Sequence, residues 1–128
     1  MDEQLLQHGM FSWSELMTTD AEAAKHFYAQ IFGWQYAEFP MERMTYSVIK
    51  AKGQEIGGIM SVPPQAAQTL PHWGVYVTVD DVDASARRAE ELGAQVMVPP
   101  TDIPDVGRFC VFSDPQGAVI SMITYLQR

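Results

Sequence analysis

The stretch DAEAAKHFYAQIFG, Asp20 to Gly33, decides the fold, because the chain repeats its design sixty residues later as DDVDASARRAEELG, Asp80 to Gly93. In the first copy Ala24, Phe27, Tyr28, Ile31 and Phe32 recur at intervals of three and four, the spacing of one helix face. Thr18, Thr19 and Asp20 precede them with side chains able to accept from the free N–H groups of a helix start, and Gly33 supplies the stop. In the second copy Asp80 and Asp81 cap, Val82, Ala86, Ala89 and Leu92 mark the face, and Gly93 ends it. The same offset of 60 pairs Phe32 with Leu92, Gln35 with Gln95 and Pro40 with Pro100. Two unrelated αβ segments in an ordinary α+β domain would leave that shared register to chance, so the chain reads as an internal tandem repeat.

Strands fill the intervals. Phe11 to Thr18 alternates loosely ahead of the first helix. Gln35 to Phe39, closed by Pro40, Thr45 to Ala51, and Glu55 to Val62 follow it, the last two separated by Lys52-Gly53-Gln54. Pro63 to Pro71, with three prolines and a run of Ala and Gln, reads as a linker. Trp73 to Val79, rich in β-branched and aromatic residues, restarts the pattern, and Gln95 to Val98, Arg108 to Ser113 and Ala118 to Tyr125 complete it. Asp114-Pro115-Gln116-Gly117 is the turn between the last two strands. The expected organisation is one α+β domain over residues 9–126, made of a βαβββ unit at 9–62, the linker at 63–71 and a second unit at 72–126.

A length of 128 residues, 47% of them hydrophobic, suits one domain with a sizeable core. Sixteen acidic against eight basic residues give a formal charge of −8, which repels phosphate backbones and anionic lipid, so neither nucleic acid nor membrane is an expected partner. The first ten residues lack the layout of a signal peptide, and no apolar stretch reaches bilayer-spanning length. Cys110 is the only cysteine, which rules out an intrachain disulfide and a thiolate zinc cluster. A cytoplasmic setting is the expectation.

Two βαβββ units in tandem, with Phe27-Tyr28 before Phe32-Gly33-Trp34 in the first and Asp114-Pro115-Gln116-Gly117 near the end of the second, resemble the vicinal oxygen chelate superfamily. Glyoxalase I, bleomycin-resistance proteins and extradiol dioxygenases belong to it. The resemblance covers residues 9–126 and implies that the strands of each unit curl into an incomplete barrel, that a small-molecule ligand sits in the cup between units, and that the protein is a homodimer. Metal-dependent members place four ligands in the cup, one each from the first and last strands of the two units, typically histidine and glutamate. The matching positions here are Trp13, Met60, Gly74 and Ser121, and a slip of one residue restores no ligand set. Imidazole and carboxylate are what a borderline divalent ion needs, so no metal or other cofactor is expected.

Strand alternation sends residues two apart to one face, so a cup-facing Trp13 takes Phe11, Glu15 and Met17 with it. On the fifth strand Gly74, Tyr76 and Thr78 share the cup face, on the last strand Val119, Ser121, Ile123 and Tyr125, and on the fourth Gly58, Met60 and Val62. Aromatic and thioether walls with sparse polar groups suit a flat or hydrophobic ligand, or else simply fill a small barrel. Gly57, Gly58 and Gly74 argue for room. Glu15 among aromatics is either the acid, base or anchor of the site or a buried carboxylate held by a tyrosine hydroxyl or an arginine. Arg108 is either a cation at the pocket rim or a surface charge paired with Asp105 or Asp102, and Cys110 reads as a small core side chain.

The leading reading is a metal-free, glyoxalase- and bleomycin-resistance-like binder of a small hydrophobic or aromatic molecule. Trp13, Met60, Gly74, Tyr76, Arg108 and Ser121 line its site, and Glu15 anchors or activates the ligand. Whether it also transforms that ligand is left open. One rival is a metal-dependent lyase, isomerase or dioxygenase with ligands in unusual places such as Glu15 and His72. Another is a drug-sequestering resistance protein whose acidic, aromatic crevice takes a cation.

Overall fold

The computed structural model describes residues 2–41, 45–61 and 70–126. In chain order they form a 3-10 turn (Glu3–Leu6), β1 (Phe11–Thr18), α1 (Ala21–Phe32), β2 (Gln35–Pro40), β3 (Thr45–Ala51), β4 (Gln54–Ser61), β5 (His72–Thr78), α2 (Val82–Glu91), β6 (Gln95–Ile103), β7 (Gly107–Ser113) and β8 (Val119–Tyr125). The fold is mixed α+β, and the βαβββ order occurs twice. Val62 and most of the expected linker lie outside the described residues.

The chain divides into two compact units, one of Trp13–Gly74 and one of Met1–Ser12 with Val75–Arg128. In the Trp13–Gly74 unit the strand order is β2-β3-β4-β1, with β1 and β4 parallel and the other neighbours antiparallel. The second unit has the order β6-β7-β8-β5 with β5 and β8 parallel, so the sequence repeat is also a repeat of topology. Both arrays are open, with β2 and β6 as edges. The first residues belong to the second unit. Gly9 donates its N–H to the Thr78 carbonyl at 2.7 Å, the Thr78 N–H returns to the Met10 carbonyl at 2.8 Å, and the Thr78 hydroxyl donates to the Leu5 carbonyl at 2.6 Å.

The helix starts are built as the sequence suggests. Asp20 accepts from the Ala23 N–H, and Asp81 accepts from Asp83 and Ala84, both caps holding extended backbone. The second cap is Asp81 rather than Asp80, so α2 begins one residue later in the repeat than α1 does. Gly33 ends α1 at φ 72° and Gly93 follows α2 at φ 102°, left-handed conformations that favour glycine.

One core lies beneath each helix. Leu16, Ala21, Ile49 and Ile59 pack together under α1 with Ala24, Tyr28, Trp34 and Tyr36 against them. Val79, Val82, Ala86, Cys110 and Met122 do the same under α2, with Val96 and Phe112. Burial pushes the Cys110 thiol up, and nearby Glu90 and Asp83 add to this, so it is an inert core group as expected.

Two differences from the sequence reading have physical causes. The strand read as Gln95 to Val98 runs on through Pro99 and Pro100 to Ile103 as β6. An edge strand with register shifts between Val96 and Val98 and between Val98 and Thr101 tolerates residues that lack an N–H. The stripe read on α1 is only half a core face. Ala24 and Tyr28 pack inward, whereas Phe27, Ile31 and Phe32 are exposed. Lys25 takes a buried place on the helix instead, its ammonium 2.7 Å from Glu38 Oε1 and paired also with Glu22.

Ser47 donates to the other Glu38 oxygen at 2.6 Å. Burial alone would raise the Glu38 pKa, but the hydrogen bonds from Lys25 and Ser47 and the lysine charge outweigh it and hold the carboxyl below its ordinary value. A depressed folded-state pKa contributes stability that is complete above the unfolded value and is lost as pH falls through the folded one. Glu38→Gln is therefore expected to unfold at a denaturant midpoint that varies less than wild type's below about pH 4.5, measured as a pH series of urea titrations. An unchanged pH dependence would remove Glu38 from the acid response.

Candidate functional site

In the Trp13–Gly74 unit, the face opposite α1 carries the polar chemistry. Leu16 lies in the core under the helix, so alternation along β1 turns Trp13, Glu15 and Met17 to the other side. On β3, Ile49 points to the core and Tyr46 and Val48 away from it. On β4, Ile59 points to the core, and Gly58 and Met60 share the far face as the register partners of Glu15 and Met17.

Three side chains on that face are joined. Trp13 Nε1 donates to the Tyr46 hydroxyl at 3.0 Å, and that hydroxyl donates to Glu15 Oε2 at 2.7 Å. Each bond polarises the next, and a hydrogen bond onto a carboxylate is among the stronger kinds, so the relay fixes the direction in which the Glu15 carboxylate points. Tyr46 can lie there because residue 58 is glycine: a Cβ at that position would collide with the Tyr46 hydroxyl and ring. Gly58→Ala is therefore expected to expel the Tyr46 ring and break the relay without unfolding the unit. An upfield shift of the Trp13 indole N–H resonance, on an otherwise native amide spectrum, would report it. A resonance that stays in place would mean the relay does not depend on Gly58.

Of the three glycines expected to leave room in the cup, Gly57 and Gly58 do not. The side-chain space of Gly58 is taken by Tyr46, and a Cβ on Gly57 would strike the Ser14 carbonyl of the parallel strand. Gly74 differs. A Cβ there meets nothing nearer than the Glu15 carbonyl oxygen at 4.0 Å, so this position is open.

In the second unit the face opposite α2 holds Tyr76, Ser121 and Phe109. Tyr76 is the register partner of Ser121, both are buried, and the Tyr76 and Phe109 rings lie 6.5 Å apart. Tyr125 on the same face of β8 meets the Ser12 hydroxyl at 2.8 Å, and burial pushes its phenol pKa up despite that hydrogen bond. Arg108 is not with them. It sits two residues from Cys110 on β7 and therefore on the α2 side, where Nε and Nη2 donate to Asp83 at 2.9 and 3.2 Å and Nη1 to Asp102 at 3.0 Å. These hydrogen bonds and charges raise its already high pKa, and Arg108 is held as a cation between Asp83 and Asp102. Asp102 was one of the two partners expected for it. Asp83 was not.

The missed residue is Tyr46. Sequence alone placed it on a strand, but its role needs the packing of β3 over Gly58, which no local pattern announces. A second feature also went unread. Tyr28, Phe32, Trp34 and Trp73 gather on the α1 side of the Trp13–Gly74 unit around a cleft of about 490 Å³.

The family model of the Glyoxalase/Bleomycin resistance protein/Dioxygenase superfamily matches residues 8–122. The chain belongs to this superfamily. Among superfamily relatives, CFP32 of Mycobacterium bovis, which carries a provisional glyoxylase name, is 41% identical over 116 residues, covering 90% of this chain and 44% of that protein. The anthracycline biosynthesis protein DnrV of Streptomyces peucetius is 35% identical over 115 residues, covering 90% of this chain and 41% of that one. The chain thus spans less than half the length of these relatives. Among solved structures, methylmalonyl-CoA epimerase of Mycobacterium tuberculosis superposes with a TM-score of 0.70 at 15% identity, covering 99% of this chain and 94% of that one, which is a likeness of fold.

Superfamily members that use a divalent ion need imidazole or carboxylate at the four strand positions, and the residues here do not fit one. Trp13 is an N–H donor bonded to Tyr46, Met60 offers a thioether, Gly74 has no side chain, and Ser121 is a neutral hydroxyl. Among the described residues no cluster of three or more His, Cys, Asp or Glu side chains is placed to hold a metal ion. His72, suggested as an unusual ligand, is exposed with Nδ1 2.8 Å from the Leu70 carbonyl oxygen. No helix among the described residues is long and apolar enough to cross a membrane.

Proposed function

We propose that this superfamily member binds a small, flat, largely hydrophobic molecule against the Trp13–Glu15–Tyr46 face, without a divalent metal, using the Glu15 carboxylate as the polar anchor. The observation that carries the reading is the relay from Trp13 through Tyr46 to Glu15: a carboxylate held in direction by its neighbours is a fixed acceptor among the apolar side chains of Met17 and Met60. A carboxylate acceptor in a chain of net charge −8 selects ligands that are cationic or rich in N–H and O–H donors and disfavours anions. Tyr76 and Ser121 supply a second hydroxyl-bearing face in the other unit for the same class of molecule.

The relationship to DnrV supports an aromatic ligand, since that protein's name ties it to anthracyclines, which are flat and polycyclic. The acidic carboxylate beside an indole equally suits a sequestering role, in which a cationic aromatic drug is held and not changed. Binding of a cationic anthracycline to metal-stripped protein, followed by isothermal titration calorimetry together with elemental analysis of the protein as purified, tests the proposal. Saturable binding with substoichiometric metal is the expected result. Stoichiometric metal that is lost in Glu15→Ala and His72→Ala would replace the reading with a metal-dependent lyase, isomerase or dioxygenase.

A further inference from the structure

Glycine weakens the interior of a β-strand, since it brings no side chain to pack and loses more backbone freedom on folding than any other residue. A glycine in such a place needs a reason. Five of the nine glycines hold left-handed backbone. A Cβ on Gly57 would strike the Ser14 carbonyl, one on Gly58 the Tyr46 ring, and one on Gly107 the Thr124 carbonyl. Gly74 has neither reason. It lies inside β5 outside the left-handed region, and the nearest atom to an added Cβ, the Glu15 carbonyl oxygen at 4.0 Å, is at ordinary contact distance. The position also faces the candidate site. Its neighbour Trp73 packs on the α1 side, edge-on to Tyr28 at 5.5 Å and to Trp34 at 6.0 Å, so alternation along β5 turns residue 74 to the Glu15 face.

We infer that Gly74 sets the shape of the ligand, admitting a planar fused-ring cation that lies flat on the bare strand beside Glu15. The inference rests on the anchoring role proposed for Glu15 and adds the ring system that goes with it. Carbon atoms in contact sit about 3.5–4.0 Å apart, and a side chain begins about 1.5 Å off its Cα. A Cβ at residue 74 would therefore lift a ring off the strand by about one bond length. A hydrogen bond between an ammonium and a carboxylate spans about 2.7–2.9 Å, so the lifted ring also draws its ammonium away from Glu15. Ring contact and anchor are coupled through one missing side chain. A single-ring cation is small enough to reach the carboxylate without covering residue 74, and it gains nothing from the glycine.

Calorimetric titration of wild type, Gly74→Ala, Gly74→Val and Glu15→Gln with a cationic anthracycline and with 2-phenylethylammonium tests the inference. Gly74→Val should weaken the anthracycline roughly 5- to 150-fold, as overpacking a filled site does, with Gly74→Ala between it and wild type. The loss for 2-phenylethylammonium should be much smaller, so the preference for fused rings collapses. Both Gly74 variants should unfold at a higher urea midpoint, because the added side chain restricts the unfolded chain and meets open space in the folded one. Stability gained while binding is lost marks a glycine kept for a ligand. A midpoint lowered by Gly74→Ala would make it a structural glycine and overturn the inference. Anthracycline binding that Glu15→Gln weakens and Gly74→Val does not would overturn it and leave the anchor standing. Equal losses for the two cations in Gly74→Val would overturn it as well, since no selection by shape remains. Binding weakened by Gly74→Val but not by Glu15→Gln would end the anchor and uphold Gly74 as the place of the rings. A wild type that binds neither cation overturns both.

Discussion

Glu15→Gln is expected to weaken binding of a cationic aromatic ligand by roughly 10- to 150-fold while leaving the protein folded, because a hydrogen bond to a charged group contributes about 1.5–3 kcal/mol. Glutamine keeps the size of the side chain and an oxygen able to accept from Tyr46, so the relay from Trp13 survives in form. What is lost is the negative charge that draws an ammonium or a strong donor. Tyr46→Phe separates direction from charge: it leaves the carboxylate but removes the hydroxyl that aims it, and a smaller loss is expected, near 10-fold. Calorimetric titration of the three proteins with one ligand measures both effects. Equal affinities for wild type and Glu15→Gln would leave Glu15 a structural carboxylate and end its role as anchor.

The largest stability effect is expected at Ile59. Its side chain is 0% exposed, it is the register partner of Leu16 on the neighbouring parallel strand, and it packs with Ala21 and Ile49 where α1 sits on the sheet. Ile59→Ala removes three carbons from a site walled by backbone on one side and helix on the other, so the cavity can collapse only in part. A loss of about 2–5 kcal/mol follows. Urea titration measures it, and a loss below about 1 kcal/mol would mean that α1 is not clamped at this point. Because α1 and β1 are joined through the same core, the Glu15 face should loosen before global unfolding in this variant, visible as faster amide exchange across β1 and β4.

Much of the fold was legible because its signals are local. Asp20, Gly33 and Gly93 are cap and stop residues whose effect depends on their own backbone, and the sixty-residue offset between the helices is a property of the string. β3 came out at Thr45–Ala51, as its β-branched run implies, and Asp114 caps its turn by accepting from the Gln116 and Ala118 N–H groups. What the string concealed depends on neighbours distant in sequence. Pro99 and Pro100 look like strand breakers until β6 is known to be an edge. Phe27, Ile31 and Phe32 carry helical spacing like any core stripe, and periodicity cannot say which half of a wide apolar face meets the sheet.

The candidate site divides the same way. Trp13, Glu15 and Met17 share a face because alternation is a rule of one strand. The same rule places Arg108: Cys110 is core, and a residue two places away on the strand shares its side, so Arg108 lies with α2, where Asp102, one of the two partners its sequence offered, pairs with it. Tyr46 was beyond reach, since its place follows from Gly58 having no side chain on the adjacent strand.

We propose that the Glu15 carboxylate, aimed by Tyr46 and Trp13, holds a flat hydrophobic ligand without a divalent metal. The indole N–H resonance of Trp13 in chelator-treated, isotope-labelled protein reports on ligand anchoring at the relay itself, during titration with a cationic anthracycline. A saturable shift of this resonance is expected, with half-saturation at least about 10-fold higher in Glu15→Gln. A Trp13 resonance that does not move until a divalent metal is restored would contradict it.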